Sequence, residues 1–300
     1  MRRYAFTMLE LVFVIVIMGI LGKYGVEFIA QAYHNFIFAQ INNKLQSDAE
    51  MAVETIAARL QYRIKASVIG RKSSDNNFTA IQSASGTQYD ILEWIGSDEE
   101  SFRGTTAPQW SGIIDLDDSN ATYLVSPGTN TNNINTTITN LSHNSGTDIN
   151  DSAIYFIGSN SNQNQFGWSM TNPPPIFGDQ TQAMHPIQTD ANSSVFIPKV
   201  GSFSGEDVYE YYQLAWTAYA VGIDDYNTAS NTGTLKLWYD YQPWAGEYRK
   251  SNVAQSVTIM KNVSTFQFRA VGSVLKIQVC VKSNLVEDEK YSLCKEKTIF

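Results

Sequence analysis

The sequence predicts an α+β fold, in which one long N-terminal helix packs by its second half on an antiparallel β-sheet domain with long loops. An apolar run from Leu11 to Leu21 is followed by apolar residues at helical spacing as far as Ile64, which predicts one helix with an exposed first half. In the last third, apolar and polar residues alternate with the period of strands. The residues between are rich in Asn, Ser, Thr and Gly, a composition typical of loops.

The opening segment places basic, acidic and apolar residues in a defined order. Arg2 and Arg3 precede the apolar run, and Glu10 stands at its start. Basic residues before such a run orient it in a membrane with the arginines on the cytoplasmic side. We therefore expect residues 6–30 to span a membrane or to lie in the core of an assembly. Because a carboxylate at the edge of an apolar segment is costly, Glu10 is expected to have a function.

The apolar spacing continues far beyond the opening run. Polar residues fill the other faces, so the stripe from Ile37 to Ile64 is expected to cover one face of the sheet. Gly70, followed by the polar run RKSSDNN, is expected to cap the helix. The helix is thus predicted over residues 6–69, with a length of about 95 Å.

The segment AFTMLEL, residues 5–11, together with the apolar run after it, resembles the N-terminus of type IV pilins and type II secretion pseudopilins. The resemblance implies that a prepilin peptidase removes the leader, residues 1–5, by cleaving between Ala5 and Phe6, and that Phe6 is then N-methylated. The family usually has Gly before the cut, where this chain has Ala5. It also implies that Glu10 pairs with the α-amino group of a neighbouring subunit, since a buried acid needs a partner. The alternative is an uncleaved signal anchor with Glu10 at the membrane interface.

The resemblance also implies a function and a location. The chain would be a minor pilin-like subunit of a periplasmic filament, in the tip or priming complex of a type II secretion system or of a related type IV pilus or DNA-uptake machine. Its partners would be other pilin-like subunits, the prepilin peptidase, an inner-membrane assembly platform and membrane lipid. It would cross the bacterial inner membrane once, with the C-terminal domain in the periplasm. The segment VTIMKNVSTFQFRAV and the strand after it resemble the larger, J-like and W-like, minor pseudopilins.

Composition argues against several other functions. A formal net charge of −8 provides no general electrostatic basis for direct binding of nucleic acid. The sequence contains no Gly-rich phosphate loop, nucleophile elbow or Cys–His constellation, so neither an enzyme nor a cofactor is expected. The alternative function is a membrane-anchored adhesin or carbohydrate-binding domain, which the 16 Tyr and 6 Trp would suit.

Residues 70–300 are expected to form an α+β head, with a loop-rich insertion over residues 86–210 and a β-meander over 211–300. No function is assigned to residues 119–172. Short strands are predicted in the insertion over YDILEWI (89–95), SGIIDL (111–116), SAIYFIG (152–158) and SVFIP (194–198). The meander strands are YYQLAWTAYAVGI (211–223), TLKLWYDY (234–241), STFQFRAV (264–271) and SVLKIQVCV (273–281). One face of the second of these is expected to carry Leu235, Leu237, Tyr239 and Tyr241.

The two cysteines, Cys280 and Cys294, are expected to meet near the C-terminus. Cys280 faces away from the apolar row of its strand, toward the tail that carries Cys294. An oxidising compartment beyond the membrane favours a disulfide, and two free buried thiols are the alternative.

No metal site is expected. The histidines His34, His143 and His185 follow no metal-ligand spacing, and the last two are expected in polar loops. Two acidic clusters depart from the twelve-residue calcium loop with its central Gly and terminal Glu. These clusters are Asp115, Asp117, Asp118 and Asn120, and Asp224, Asp225 and Asn227.

Four Asn residues occur in the pattern acid-x-Asn-x-Ser/Thr without Pro, which is stricter than plain Asn-x-Ser/Thr. The pattern resembles the extended acceptor of bacterial periplasmic N-glycosylation. The alternative is a chance match in a composition rich in Asn, Asp, Ser and Thr. The four candidates are Asn77, Asn120, Asn150 and Asn192.

Overall fold

This computed structural model describes residues 7–84, 88–143, 146–159, 162–169, 183–283 and 292–300. The described residues form one long helix, two short helices and two antiparallel sheets. The α+β class predicted from the sequence is confirmed.

The long helix α1 spans Met8–Leu60. Its predicted end at residue 69 is wrong, because Gly70 lies inside a strand and does not cap the helix. The backbone N–H of Ile64 donates instead to the carbonyl oxygen of Ile95 at 2.9 Å. This tertiary hydrogen bond ends the helix although the apolar spacing continues.

The second half of α1 packs on the head, and burial starts later than the spacing predicts. Ile37 and Ile41 are only partly buried. Complete burial starts at Ala49 and recurs every three or four residues, which is the spacing of one helix face. The buried residues of α1 are Ala49, Ala52, Val53, Ile56, Ala57 and Leu60.

Fourteen strands, β1 to β14 in chain order, lie in the described part of the chain. Their pairings are all antiparallel. The short helices α2 (Glu99–Arg103) and α3 (Thr131–Leu141) lie between them. The strands are Ile69–Arg71, Phe78–Ala80, Ile91–Gly96, Asp115–Asn120, Tyr123–Val125, Ala153–Phe156, His185–Thr189, Val195–Pro198, Tyr212–Ala215, Thr217–Asn227, Thr232–Tyr241, Gln255–Val271, Val274–Lys282 and Ser292–Ile299.

The first sheet has eight strands in the order β14-β13-β12-β11-β10-β3-β1-β2. Strands β10 to β14 are neighbours in sequence and form a meander. Gly272, in the turn between β12 and β13, has a φ of 63°, a conformation that glycine adopts without steric cost. Helix α1 lies on the face of β12, β13 and β14.

The second sheet has six strands in the order β4-β5-β8-β7-β6-β9. Five of its strands lie in the predicted loop-rich insertion, and the short strands predicted there overlap three of them, β4, β6 and β8. Helix α3 forms in the Asn- and Thr-rich stretch because Ile134 and Ile138, one turn apart, are both fully buried against this sheet. The side chain of Asn130 caps the helix by accepting a hydrogen bond from the N–H of Asn133 at 3.2 Å.

The single strand predicted over residues 211–223 is in fact two strands. Strand β9 ends at Ala215 and pairs with β6 in the second sheet. Strand β10 begins at Thr217 and pairs with β3 and β11 in the first sheet. One apolar run therefore supplies both sheets and connects them through Trp216.

Strand β11 contains a bulge that changes its predicted face. Asp240 has a left-handed φ of 58° and adds one residue opposite β10. Tyr241 consequently joins the core of Trp238, and not that of Leu235 and Leu237 as predicted.

The first sheet is covered on both faces. In β3, Leu92 and Trp94 contribute to the core under α1, whereas Ile91 and Ile95 contribute to a core shared with the second sheet. Glu93 lies between the latter two residues, and so on the face toward the second sheet. The remaining core residues lie between the second sheet and α3.

A disulfide joins Cys280 on β13 to Cys294, the residue directly opposite on β14. The helix-facing residues of β13 are the alternate ones, including Val279 and Val281. The bridge therefore lies on the face away from α1. It holds the edge strand β14 to the sheet.

Removing this disulfide is expected to lower the free energy of unfolding by about 3 kcal/mol, as the chain-entropy model predicts for a loop of this size. The measurement is urea unfolding of the full chain in detergent, comparing Cys280→Ala/Cys294→Ala with wild type. Reductant should shift the wild-type midpoint to that of the double variant and leave the variant unchanged. Equal midpoints for the two proteins without reductant would contradict the expectation.

Candidate functional site

The start of α1 is held by a reciprocal pair of side chains. Glu10 accepts hydrogen bonds through Oε2 from the backbone N–H of Thr7 at 3.0 Å and from its hydroxyl at 2.9 Å. The N–H of Glu10 donates to Oγ1 of Thr7 at 3.4 Å. This is a capping box, and the spacing Thr-x-x-Glu is a signal for it that our sequence reasoning missed. Ala5 and Phe6, the predicted processing site, lie outside the described residues.

The first half of α1 presents apolar side chains to solvent on all sides. Every residue from 7 to 36 is exposed, and residues 11–22 include no charged side chain. An 18-residue window of this helix is long and apolar enough to cross a membrane, and none of it is buried. So large an apolar surface indicates contact with a membrane or with other protein.

Ion pairs flank the buried stripe where α1 meets the sheet. Glu54 accepts from Lys297 of β14 at 2.6 Å, and Glu50 lies 3.7 Å from Lys295 of the same strand. Exposed pairs of this kind each contribute below about 1 kcal/mol. The apolar burial therefore supplies most of the docking energy.

A groove of about 830 Å³ opens where α1 leaves the first sheet. Ile37 and Ile41 form part of its helix side, while Met260 of β12 and Val281 of β13 form part of its sheet side. The groove therefore continues the exposed apolar surface of α1 onto the head.

Three charged side chains are buried together between the two sheets. Arg71 donates through Nε to Oε2 of Glu93 at 2.9 Å, and Arg249 lies 3.5 Å from Oε1 of the same carboxylate. Arg71 also donates to the carbonyl oxygens of Asn76 at 2.9 Å and Trp168 at 3.0 Å. The cluster joins β1, β3 and three connecting segments, those of Asn76, Trp168 and Arg249, and has a structural role. Arg71 had been assigned to a polar run after the helix, so the sequence did not identify it.

Asp98 is a second buried acid, at the N-terminus of α2. Its Oδ1 accepts the N–H of Ser101 at 3.2 Å, while Oδ2 has no hydrogen-bond partner among the described residues. Burial raises the pKa of the Asp98 carboxyl to about 6, against the opposing effect of the Ser101 hydrogen bonds.

The contribution of Asp98 to stability is expected to fall as the pH rises from about 4 to about 7, because the Asp98 carboxyl holds its proton more tightly in the folded than in the unfolded chain. This contribution is fully present below the pKa that Asp98 has in the unfolded chain. It is lost as the pH rises through the pKa of Asp98 in the folded chain. Asp98→Asn removes the titration and should reduce the difference in unfolding free energy between pH 4 and pH 7 by about 2 kcal/mol.

The measurement is urea unfolding of the full chain at the two pH values. Asp117→Asn, which changes an exposed acid in the same way, is the control. If Asp98→Asn and Asp117→Asn have the same pH dependence, the assignment to Asp98 is wrong.

The acidic clusters considered for calcium have other partners. Lys236 lies 3.0 Å from Asp224 and 2.9 Å from Asp225. Oδ1 of Asp115 accepts backbone hydrogen bonds from Asp117 at 3.1 Å and Asp118 at 3.2 Å. These donors bond the carboxylates of Asp224, Asp225 and Asp115.

The histidines are far apart in the fold. His34 is exposed on α1, and Nδ1 of His143 lies 3.7 Å from Asp240. His185 begins β7 and is buried, so its predicted place in a polar loop is wrong. Within the ranges described, no three His, Cys, Asp or Glu side chains are grouped so as to hold a metal ion.

The candidate functional surface is therefore the exposed apolar half of α1, with Glu10 at its start and the groove at its other end. A comparison with family models, curated proteins and solved structures found no match to the chain. The function proposed below therefore depends on the exposed apolar half of α1, Glu10 and the groove.

Proposed function

We propose that the chain is a minor pilin-like, or pseudopilin, structural subunit of a periplasmic filament. It would be anchored by α1 in the bacterial inner membrane before assembly, with the head in the periplasm. The filament would belong to a type II secretion system or to a related type IV pilus or DNA-uptake machine. The subunit would act without catalysis, through contacts of its helix with other pilin-like subunits and with an assembly platform in the membrane.

The observation that carries the proposal is the length of apolar helix left exposed in front of the head. Residues 8–48 of α1 precede the first buried position, Ala49, and extend about 60 Å. A bilayer core of about 30 Å needs only about 20 residues. A simple anchor would not explain the exposed apolar residues that continue after the first 20 or so. These are Val26, Phe28, Ile29, Tyr33 and Phe36.

Side-by-side packing of such helices would cover these residues. In that packing Glu10 would leave water, and a buried carboxylate requires a positive partner. The α-amino group of a processed neighbour, at Phe6, would supply the charge and set the axial position of one subunit on the next.

The head favours a minor position in the filament. Its two sheets, two short α-helices and long connections make a bulky domain on one thin helix. If such heads were repeated along a thin fibre, neighbouring heads would clash. In a tip or priming complex the head is present once, so this clash does not arise.

The proposal is tested by the intact mass and N-terminal sequence of the protein extracted from native membranes. We expect a chain that begins at Phe6 and carries a methyl group on its amino nitrogen. A chain that begins at Met1 in cells with an active prepilin peptidase would overturn the proposal. It would favour the alternative, a membrane-anchored adhesin or carbohydrate-binding domain.

A further inference from the structure

The structure divides the four acid-x-Asn-x-Ser/Thr sequences into two kinds. Asn77 lies in the turn between β1 and β2, Asn120 is the last residue of β4, and Asn192 lies between β7 and β8. These three are exposed, whereas Asn150 is partly buried in a short helical turn before β6. Surface position is the first requirement for an acceptor of an N-linked glycan.

Asn120 and Asn192 share a further geometry. The side-chain oxygen of each accepts a hydrogen bond from the backbone N–H two residues later, at 2.8 Å from Thr122 and 3.0 Å from Ser194. The hydroxyl of Thr122 also donates to Asn120 Oδ1 at 2.7 Å. In both residues the side-chain nitrogen, which is the atom to be modified, makes no hydrogen bond within the described part of the chain.

The acids before these two residues are also accessible. Asp118 and Asp190 are exposed. Their carboxylates form no ion pair with any residue in the described ranges. At Asn120, the acid, the amide and Thr122 are all exposed. At Asn192, the acid and the amide are exposed, whereas Ser194 is partly buried and its hydroxyl donates to the carbonyl oxygen of Thr129 at 3.0 Å.

The other two sites are held by internal hydrogen bonds. Asn77 Nδ2 donates to Oδ2 of Asp75 at 2.8 Å, so amide and acid are bonded to each other. Asn150 Nδ2 donates to Asp148 at 3.2 Å, and Oδ1 of Asn150 accepts the N–H of Thr189 at 3.0 Å. Modification of Asn150 would require the turn to separate from β7.

We propose that Asn120 and Asn192 are acceptors of N-linked oligosaccharide and that Asn77 and Asn150 are not. The donor is an oligosaccharide on a lipid pyrophosphate. The amide nitrogen forms a bond to C1 of the first sugar, the bond from C1 to the phosphate oxygen breaks, and the lipid pyrophosphate leaves. One amide proton passes to a base of the transferase. The acidic residue two positions before each Asn provides a carboxylate for a basic group of that enzyme.

Both acceptors belong to the second sheet, and α1 lies on the first. Glycans at these positions would leave the apolar helix and its groove uncovered. The modification requires only export of the head and does not depend on filament assembly.

The test is expression of the full chain in a bacterium that carries an acid-requiring oligosaccharyltransferase and its lipid-linked oligosaccharide. Intact mass and glycopeptide mapping should find glycans at Asn120 and Asn192, and Asn120→Gln and Asn192→Gln should each remove one. Asp118→Ala should abolish modification of Asn120, whereas Asp117→Ala, its neighbour, should not. Asn262, an exposed Asn-Val-Ser sequence without the preceding acid, should stay unmodified.

Two results would overturn the proposal. One is unmodified Asn120 and Asn192 in cells that glycosylate a control acceptor protein. The other is equal occupancy of Asn77 or Asn150, which would mean that the folded geometry does not select the sites.

Discussion

Glu93→Ala is expected to destabilise the head by about 3–5 kcal/mol, since the substitution leaves two arginines buried without a counter-charge. Arg71 and Arg249 are 1% and 4% exposed, so water cannot replace the lost carboxylate. We expect the midpoint of urea unfolding of the full chain in detergent to fall accordingly, or the chain to be degraded in cells. Glu93→Gln, which keeps a hydrogen-bond acceptor but loses the charge, should also destabilise and should retain enough fold to measure.

The matched control for Glu93 is Glu296→Ala. Glu296 lies 3.0 Å from Lys276 on the surface of the same sheet, and its side chain is 48% exposed. Loss of this exposed pair should change the free energy of unfolding by less than about 1 kcal/mol. Comparable effects at Glu93 and Glu296 would contradict a specific role for the buried cluster.

If the chain is the proposed filament subunit, Glu10→Gln is expected to reduce its incorporation into filaments at least tenfold. The amide keeps the capping interaction with Thr7, because Gln serves at this helix position as well as Glu does. It removes the charge that would pair with the amino group of a neighbour, and an unpaired buried charge costs several kcal/mol. The measurement is cross-linking of the subunit to its filament partners in cells, with transport activity as a second readout.

Two further variants separate the roles of Glu10. Glu27→Gln changes an exposed acid on the same helix, 4.0 Å from Lys23, and should leave incorporation unchanged. Glu10→Ala removes both the cap and the charge and should resemble Glu10→Gln. Normal incorporation of Glu10→Gln with loss in Glu10→Ala would show that only the cap matters, and the charge-pairing part of the proposal would be wrong.

The spacing of apolar residues in the sequence predicted the elements whose residues are close together in the chain, such as α1 and β13. The exposed first half of α1 follows from its apolar run, and the four apolar residues of β13 that face α1 follow from strict alternation. The end of α1 did not follow, because the hydrogen bond between Ile64 and Ile95 depends on residues 31 positions apart. Local periodicity contains no information about such a partner.

Strand β14 was not predicted from the sequence, for a second reason. Its helix-facing positions include Lys295 and Lys297, which pair with glutamates of α1 and not with an apolar surface. An edge strand with charged residues on its packed face lacks the alternation that marks a strand. The buried cluster was missed for a similar reason, since Arg71 and Glu93 look like ordinary polar residues until the sheet places them side by side. The candidate surface of α1, by contrast, could be predicted because its residues are consecutive.

The contact between α1 and β14 joins the two ends of the chain. Glu54 and Lys297 are 243 positions apart, so the helix is synthesised long before the strand that provides part of its cover. Contacts of such long sequence separation form slowly, and apolar surface exposed in the meantime is prone to aggregation. Translation of the head must therefore be nearly complete before the stripe from Ala49 to Leu60 is fully sheltered. A ribosome that stops early would release α1 with an open apolar face, a form that proteases and chaperones can recognise.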